Sequence, residues 1–254
     1  MILKNIDKSV KAICLIICIV SIFFNASIAI AGIQISSHDL SAEGYYTGAV
    51  AVHYVLTDPE GRKLGYDPYT DKSYNDFPPG TAGYGDEGID DISIVLEILE
   101  PLDGKYLIAA IGDLLTGVTF YIAVLREDIK NEGFIKFHFE GLVDKGLPSK
   151  FEITYTSDPT IPAATITRIA TPSGLKQDIT LSGKIGWIDN QGILNSLLKK
   201  AEAIETSISK GNKEAAENQI NALISEIEAQ RGKHISDKAA KILLEDTEYL
   251  MKSL

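Results

Sequence analysis

The acidic residues of this 254-residue chain are concentrated in one segment, residues 58–100. The segment holds eleven Asp and Glu residues against three Lys and Arg residues. Carboxylates and exposed carbonyls of such loops are the oxygen ligands that calcium takes in proteins. We therefore predict a calcium site at residues 86–91, with a solvated acidic loop as the alternative. The candidate metal ligands are Asp86, Glu87, Asp90 and Asp91.

Aromatic residues alternate with Pro and Gly in the same segment. Exposed rings stack on sugars or anchor protein partners, and Tyr is common at such contacts. The tyrosines are therefore candidate ligand-binding residues. The alternative is that the rings pack the segment onto the rest of the domain. The candidates are Tyr66, Tyr69, Tyr74 and Tyr84, and Phe77 belongs to the same aromatic cluster.

The sequence lacks the motifs that position an acid, a base or a nucleophile. The common hydrolase, zinc-protease and phosphate-binding motifs are absent. Asp90 and Asp91 are paired carboxylates, but adjacent residues of an extended chain point apart, unlike the pair of a glycosidase. We therefore expect no catalytic residues and no cofactor apart from calcium. An enzyme of unrecognised type is the remaining alternative.

The composition is that of a globular protein with an acidic surface. Hydrophobic residues make up 45% of the chain and charged residues 23%, which is enough for one or two packed cores. The net charge of -11 argues against nucleic-acid binding, because neutralising phosphates requires clustered cations. We expect a protein or polysaccharide partner instead.

Residues 1–31 have the features of a secretory signal peptide. A lysine-containing start precedes an uncharged run over residues 12–30, and Ala29 and Ala31 supply the small residues of a cleavage site. An uncleaved anchor is the alternative, because the run approaches the length of a short spanning helix. Both cysteines lie inside this segment. We expect a secreted protein, extracellular or periplasmic, with no membrane insertion after cleavage.

Residues 32–187 show a hydrophobic period of two, interrupted by Gly, Pro, Asn and Asp. That pattern is typical of antiparallel strands, and seven or more short strands in succession predict a β-sandwich. Residues 58–91 contain no good strand and are predicted to form a long loop. Strand segments are residues 50–56, 92–98, 118–124, 135–139 and 151–155, with weaker ones around Ile166 and Ile179.

From residue 192 onward the apolar residues recur at spacings of three and four, which predicts helices. Gly211 can end the first helix in the left-handed conformation, Asn212 can cap the second and Ser236 the third. Single stripes of this kind are unstable alone, so three helices should pack together. The predicted fold class is α+β by segregated domains, with a β-sandwich at 32–187 and a small three-helix module at 188–254.

Four short runs in the first domain resemble a β-sandwich domain that recurs in secreted bacterial proteins. That domain carries T-D-P-x-G-R, G-[YF]-D-P, N-E-I-P and P-L-x-G-x-Y in this order, and the present chain departs from it by D-F in place of E-I. The runs are T-D-P-E-G-R at 57–62, G-Y-D-P at 65–68, N-D-F-P at 75–78 and P-L-D-G-K-Y at 101–106.

The C-terminal region contains the runs S-L-L at 196–198, G-N-K at 211–213, A-A-E-N-Q-I-N-A at 215–222 and E-A-Q-R-G-K-H-I-S at 228–236. With these runs it is similar to the FIMAH domain, a small helical module at the C-termini of exported bacterial proteins. The two resemblances together imply an accessory, non-catalytic extracellular architecture. We therefore expect an exported binding or structural module acting at or outside the bacterial cell surface. A carbohydrate-binding module that uses the tyrosines is the alternative.

Overall fold

A computed structural model of the chain describes residues 31–39, 52–86, 94–126 and 135–254. In these ranges eleven strands precede four helices. The strands are β1 Gly32–Asp39, β2 Val52–Thr57, β3 Lys63–Asp67, β4 Lys72–Asn75, β5 Ala82–Asp86, β6 Ile94–Leu99, β7 Gly104–Gly112, β8 Thr116–Leu125, β9 Ile135–Val143, β10 Ser149–Tyr155 and β11 Ala164–Arg168. The helices are α1 Pro172–Lys184, α2 Gln191–Ser209, α3 Lys213–Gln230 and α4 Asp237–Lys252.

The strands form two antiparallel sheets that enclose a common core. One sheet has the order β5-β6-β1-β8-β9, and the other has the order β11-β10-β7-β2-β3-β4. Along β2 and most of β8, buried residues alternate with partly exposed ones, as the pleat of a strand requires when one face meets a core. The predicted antiparallel β-sandwich is confirmed. Its fully buried side chains include Ile33, Ile35, Tyr54, Phe120 and Phe151.

Residues 58–91 contain three short strands where a long loop was predicted, so that prediction is wrong. β3 and β4 form a hairpin at one edge of the six-stranded sheet, and β5 lies at an edge of the five-stranded sheet. These strands are only four or five residues long and are rich in Gly, Tyr and charged residues. Edge strands bury little apolar surface, so they show no apolar alternation.

The segment around Ile179 is helical, which makes the prediction of a strand there wrong. It lies in α1, where Leu175 and Ile179 are buried at a spacing of four. Thr171 caps this helix by accepting a hydrogen bond from the Gly174 backbone N–H at 3.0 Å, and Pro172 occupies its first turn. The helical part therefore has four helices rather than three and begins ahead of residue 188. Independent folding of the two parts stays a prediction.

The three helices predicted after residue 192 are confirmed, together with their ends. Asn212 Oδ1 accepts a hydrogen bond from the Ala215 backbone N–H, and Ser236 Oγ accepts one from the Ala239 backbone N–H. Gly211 has a φ of 68°, the left-handed conformation expected of the residue after a helix. The buried faces of the helices form their own core, which includes Leu197, Ile204, Ile220, Leu223, Ile227 and Leu243.

The helices pack directly on the sandwich beside β9. Leu142 of β9, Leu181 of α1 and Ile242 of α4 form a small buried cluster, with the Trp187 ring packed against it. The same ring also contacts the helical core. In the described ranges, no helix combines the length and the apolar character needed to cross a membrane.

Candidate functional site

Two of the four candidate tyrosines, Tyr66 and Tyr84, meet at His53. The Tyr84 hydroxyl lies 2.9 Å from His53 Nδ1. The Tyr66 ring meets the imidazole edge-on, with ring centroids 5.1 Å apart and planes at 77°. His53 itself is nearly enclosed, with 15% of its side chain exposed. The cluster joins β2, β3 and β5, and β5 belongs to the other sheet.

The local backbone explains how Tyr66 reaches His53. Gly65 has a φ of 120°, and a Cβ at this position would collide with the Tyr54 carbonyl oxygen of the neighbouring strand. Only glycine allows the two strands to approach in this way. The irregularity immediately precedes Tyr66, whose ring lies beside His53 rather than in the sandwich core.

Two carboxylates complete the surroundings of His53 and Tyr66. Asp113, which follows β7, has its Oδ1 3.4 Å from His53 Nε2. The Tyr66 hydroxyl donates a hydrogen bond to Asp71 Oδ1 at 2.9 Å. This bond raises the pKa of Tyr66, and burial and the charges of Asp71, Asp113 and Asp67 act in the same direction. The phenol is therefore held in its protonated, donating form.

Both nitrogens of the His53 ring are engaged within the cluster. Nδ1 shares a hydrogen bond with the Tyr84 hydroxyl at 2.9 Å, and Nε2 lies 3.4 Å from Asp113 Oδ1. The imidazole is thereby oriented from two sides.

Large apolar side chains project from three turns beside this cluster. Tyr69, in the turn from β3 to β4, is 67% exposed, and Leu114, in the turn from β7 to β8, is 64% exposed. Leu147, in the turn from β9 to β10, is 38% exposed. The Tyr69 ring lies against Gly146, where a Cβ would stand 3.0 Å from it, so the first and third turns touch.

We call the surface formed by Tyr69, Leu114 and Leu147, with the carboxylates Asp71 and Asp113, the turn face. Leu114 is adjacent to Asp113 in the chain, and Leu147 is adjacent to Gly146. The turn face is therefore continuous with the cluster around His53. It combines exposed apolar side chains with acidic groups.

The turn that carries Tyr69 is held rigidly by Asp67. Its carboxylate accepts hydrogen bonds from the Tyr69 backbone N–H at 2.9 Å and from the Thr70 hydroxyl at 2.7 Å. Partial burial alone would raise the pKa of Asp67, but these hydrogen bonds outweigh it and lower the pKa. The exposed ring thus projects from a fixed backbone.

Tyr74 and Phe77 lie apart from the turn face. The Tyr74 ring lies between two ammonium groups, with Lys72 Nζ 4.7 Å and Lys63 Nζ 5.3 Å from its centroid. Phe77 belongs to the sandwich core and lies under the Arg62 guanidinium at 4.8 Å. The interpretation that the aromatic residues pack the segment onto the domain therefore holds for Phe77.

The predicted calcium ligands Glu87, Asp90 and Asp91 lie outside the described residues. Asp86 is the last residue of β5, the strand that carries Tyr84, and its side chain is not described. Within the part of the chain that the structure does describe, no group of three or more His, Cys, Asp or Glu side chains is placed to hold a metal ion.

His53, Asp113, Leu114 and Leu147 were not predicted as site residues. The three turns and the cluster come together through the pairing of β2 with β3 and β7 and of β7 with β10. No short-range spacing links these positions. An exposed Leu in a turn is also common in soluble proteins, so Leu114 carries no signal of its own.

Comparison with known proteins identifies the helical part. Residues 173–252 match the model of the FIMAH domain. The match begins within the first turn of α1 and ends at the last residue of α4, so it includes all four helices. The predicted resemblance of the C-terminal region to this domain is confirmed. A search of the curated proteins and a search of the solved structures returned no match.

Proposed function

We propose that this chain is an exported, non-catalytic binding module that acts at or outside the bacterial cell surface and contacts its ligand through the turn face. The observation that carries the proposal is the exposure of Tyr69, on a turn held by Asp67, together with that of Leu114, which follows Asp113 at the His53 cluster. Exposed apolar groups on fixed backbone lose little conformational entropy when a partner covers them. Such surfaces are typical of binding sites.

The hydrogen bonding of the cluster supports binding rather than catalysis. Both His53 nitrogens and the Tyr66 hydroxyl are engaged by Tyr84, Asp113 and Asp71. A general acid or base has to present a lone pair or a proton to its substrate. These groups instead orient one another and support the turns that carry the apolar contacts.

The chemistry of the turn face favours a protein or polysaccharide partner over nucleic acid. Asp71 and Asp113 border it and would repel phosphates. A carbohydrate is the second candidate, because the flat Tyr69 ring is supported by Gly146 and remains 67% exposed, as a stacking platform for a sugar would be.

The location outside the cell is supported by the lysine-containing start and the Ala29/Ala31 site at the N-terminus. The FIMAH match is in keeping with it, since that resemblance implies an accessory part of an exported protein. The resemblance of four short runs to a secreted bacterial β-sandwich domain also supports export. Mass spectrometry of the protein recovered from the periplasm or medium should find an N-terminus at or near Gly32. A species that retains Met1 in the membrane would contradict export.

Binding to a panel of insoluble polysaccharides and to isolated cell-wall material tests the ligand-binding proposal. The double variant Tyr69→Ala with Leu114→Ala should lose at least about tenfold in affinity for whichever material the parent protein binds. Tyr74→Ala is the matched control, because this ring lies between two lysines away from the turn face. The control should bind like the parent.

The outcomes separate the candidates. Loss of polysaccharide binding in the double variant alone would identify a carbohydrate-binding module. The same loss for proteinaceous cell-wall material alone would identify a protein partner. Unchanged binding in the double variant, or equal loss in Tyr74→Ala, would show that the turn face is not the contact.

A further inference from the structure

The sandwich and the helical module are joined by a buried guanidinium. Arg168 is the last residue of β11, and only 5% of its side chain is exposed. Its Nη2 lies 2.7 Å from Asp178 Oδ2 of α1, and its Nε lies 2.9 Å from Asp246 Oδ1 of α4. Its Nη1 donates to the Glu140 carbonyl oxygen of β9 at 3.0 Å. One side chain thus connects two strands of the sandwich to two helices.

The charges in this cluster do not balance when every group is ionised. One guanidinium faces two carboxyl groups, Asp178 and Asp246, which are 6% and 2% exposed. A second carboxylate buried without its own cation is strongly destabilising. Asp246 Oδ2 is buried and finds no N–H or O–H donor among the described residues. Both carboxyl groups contact the same guanidinium, so a proton held between them would satisfy this oxygen without adding a second negative charge.

We propose that Asp178 and Asp246 share one proton while the helical module is docked, so that docking is tighter in acid and weakens as the pH rises. The shared proton leaves one negative charge opposite the positive charge of Arg168. Its loss would leave two buried carboxylates that repel each other across a single guanidinium.

Burial favours the protonated form of these carboxyl groups. Burial raises the pKa of Asp178 and raises that of Asp246 further, while the charge of Arg168 opposes both shifts. Burial also raises the pKa of Glu245, the neighbour of Asp246 on α4. The other titratable groups near Arg168 and Glu245 include Glu140, paired with Lys241 at 2.7 Å, Glu248, paired with Lys252 at 2.7 Å, Glu152, paired with Lys105 at 3.0 Å, and Tyr249.

The direction of the pH effect follows from these shifts. A carboxyl group whose pKa is higher in the docked state binds more protons there than in the undocked state. Docking is therefore favoured below the raised pKa and is weakened as the pH increases through it. For a single shared proton, the docking constant changes by at most about tenfold per pH unit.

The chain contains its own reporter of docking. Trp187 is the single tryptophan of the sequence, and its ring packs on β8 of the sandwich. Quenching of its fluorescence by acrylamide should increase from about pH 5 to about pH 9 if the module loosens. Gly117→Ala, which places a methyl group against this ring, provides a background in which docking is weak enough to titrate.

Asp246→Asn in the same background is the decisive variant. Its amide can donate to Asp178 and accept from Arg168 without ionising, so the variant should stay docked and lose the pH dependence. Asp237→Asn is the matched control on the same helix, because Asp237 is 77% exposed and pairs with Arg231 outside the cluster. The control should titrate like the parent.

The proposal would be overturned if acrylamide quenching of the Gly117→Ala variant did not depend on pH. It would also be overturned if adding Asp246→Asn left the pH dependence of quenching unchanged. If the Asn variant fails to fold, NMR of isotope-labelled aspartate in the unmodified protein supplies the readout. Asp178 and Asp246 should then titrate together, at a pH above the ordinary range of aspartate. Titration of both carboxyl groups within that ordinary range would also overturn the proposal.

Discussion

The indole ring of Trp187 lies directly over Gly117, a glycine of β8 at which a Cβ would collide with the ring. The contact joins the helical module to the sandwich at a point where any side chain would hold the two apart. The contact explains why β8, otherwise a regular strand, has glycine at position 117.

Replacement of Gly117 should therefore weaken the interface without disturbing either core. We expect Gly117→Val to expose Trp187 and lower the midpoint of thermal unfolding, with a cost of about 1–3 kcal/mol for the forced repacking. Near-ultraviolet circular dichroism and tryptophan fluorescence measure both effects. Gly83→Ala is the control in the same sheet, because a Cβ there meets nothing within 4 Å. A cost for Gly83→Ala as large as that for Gly117→Val would contradict the assignment.

Gly65 controls the geometry of the His53 cluster. We expect Gly65→Ala to destabilise the sandwich by about 1–3 kcal/mol, because the added Cβ meets the Tyr54 carbonyl in a backbone conformation that alanine rarely adopts. The aromatic contact between Tyr66 and His53 should be lost at the same time. Denaturant unfolding measures the cost, and the chemical shifts of the His53 ring protons report the contact.

The control for Gly65 is Gly85→Ala in β5. A Cβ at Gly85 has open space around it, and its φ lies outside the left-handed region. A free energy of unfolding unchanged by Gly85→Ala but lowered by Gly65→Ala would assign the effect to the strand irregularity. Equal effects would assign it to a general sensitivity of β3 and β5 to substitution of glycine.

Gly211 ends α2 with a φ of 68°, and a Cβ at this position would meet nothing within 4 Å. Any penalty for a side chain there is therefore conformational rather than steric crowding by neighbours. Gly211→Val should cost about 1–2 kcal/mol in thermal unfolding. Gly211→Asn should cost less, since asparagine tolerates the left-handed region. A neutral valine variant would show that the connection between α2 and α3 is not held in this conformation.

The helices and strands that could be predicted from sequence are those whose apolar residues recur with a regular spacing within the segment itself. The stripe with Leu197, Ala201 and Ile204 is buried as predicted, and Asn212 and Ser236 cap the following helices. These features depend on residues three or four apart, so a single segment contains the whole signal. The same holds for the alternating strand β8.

The elements that were missed depend on partners elsewhere in the chain. β3 pairs with β2 on one side and with β4 on the other. The hydrogen bonds of this pairing stabilise both strands, and their Gly-rich and Tyr-rich sequences do not predict it. α1 was mistaken for a strand because Ile179 and Leu181 also fit a period of two. The pair Thr171 and Pro172 could have identified it, since a capping Thr followed by Pro is a helix start.

The candidate site could likewise be predicted from the sequence only in part. Tyr66, Tyr69 and Tyr84 were predicted as ligand-binding residues from their type alone, and two of them meet at His53. His53 and Asp113 enter the cluster only because β2 pairs with the end of β7, a relationship set by sheet register. Residue type can therefore suggest candidates, whereas register decides which of them meet.

Calcium binding by the acidic segment is the last prediction. Residues 58–100 hold eleven acidic residues against three basic ones, and their mutual repulsion should destabilise the folded segment unless a cation or open solvent screens it. Extracellular modules bind calcium with dissociation constants of roughly 10⁻⁴–10⁻³ M. At the tighter end, about 10 mM calcium would add about 2.7 kcal/mol of stability. We expect the midpoint of thermal unfolding to rise by several degrees.

Magnesium at equal ionic strength is the necessary control, because screening alone would stabilise the protein with either ion. The variant Asp90→Asn with Asp91→Asn removes two of the predicted ligands and should abolish the part of the shift that is specific to calcium. Lys72→Gln raises the local negative charge without touching a predicted ligand, so it should strengthen screening by both ions alike. Equal shifts with the two ions, or a calcium shift that survives the double Asn variant, would mean that the acidic segment is solvated and holds no bound calcium.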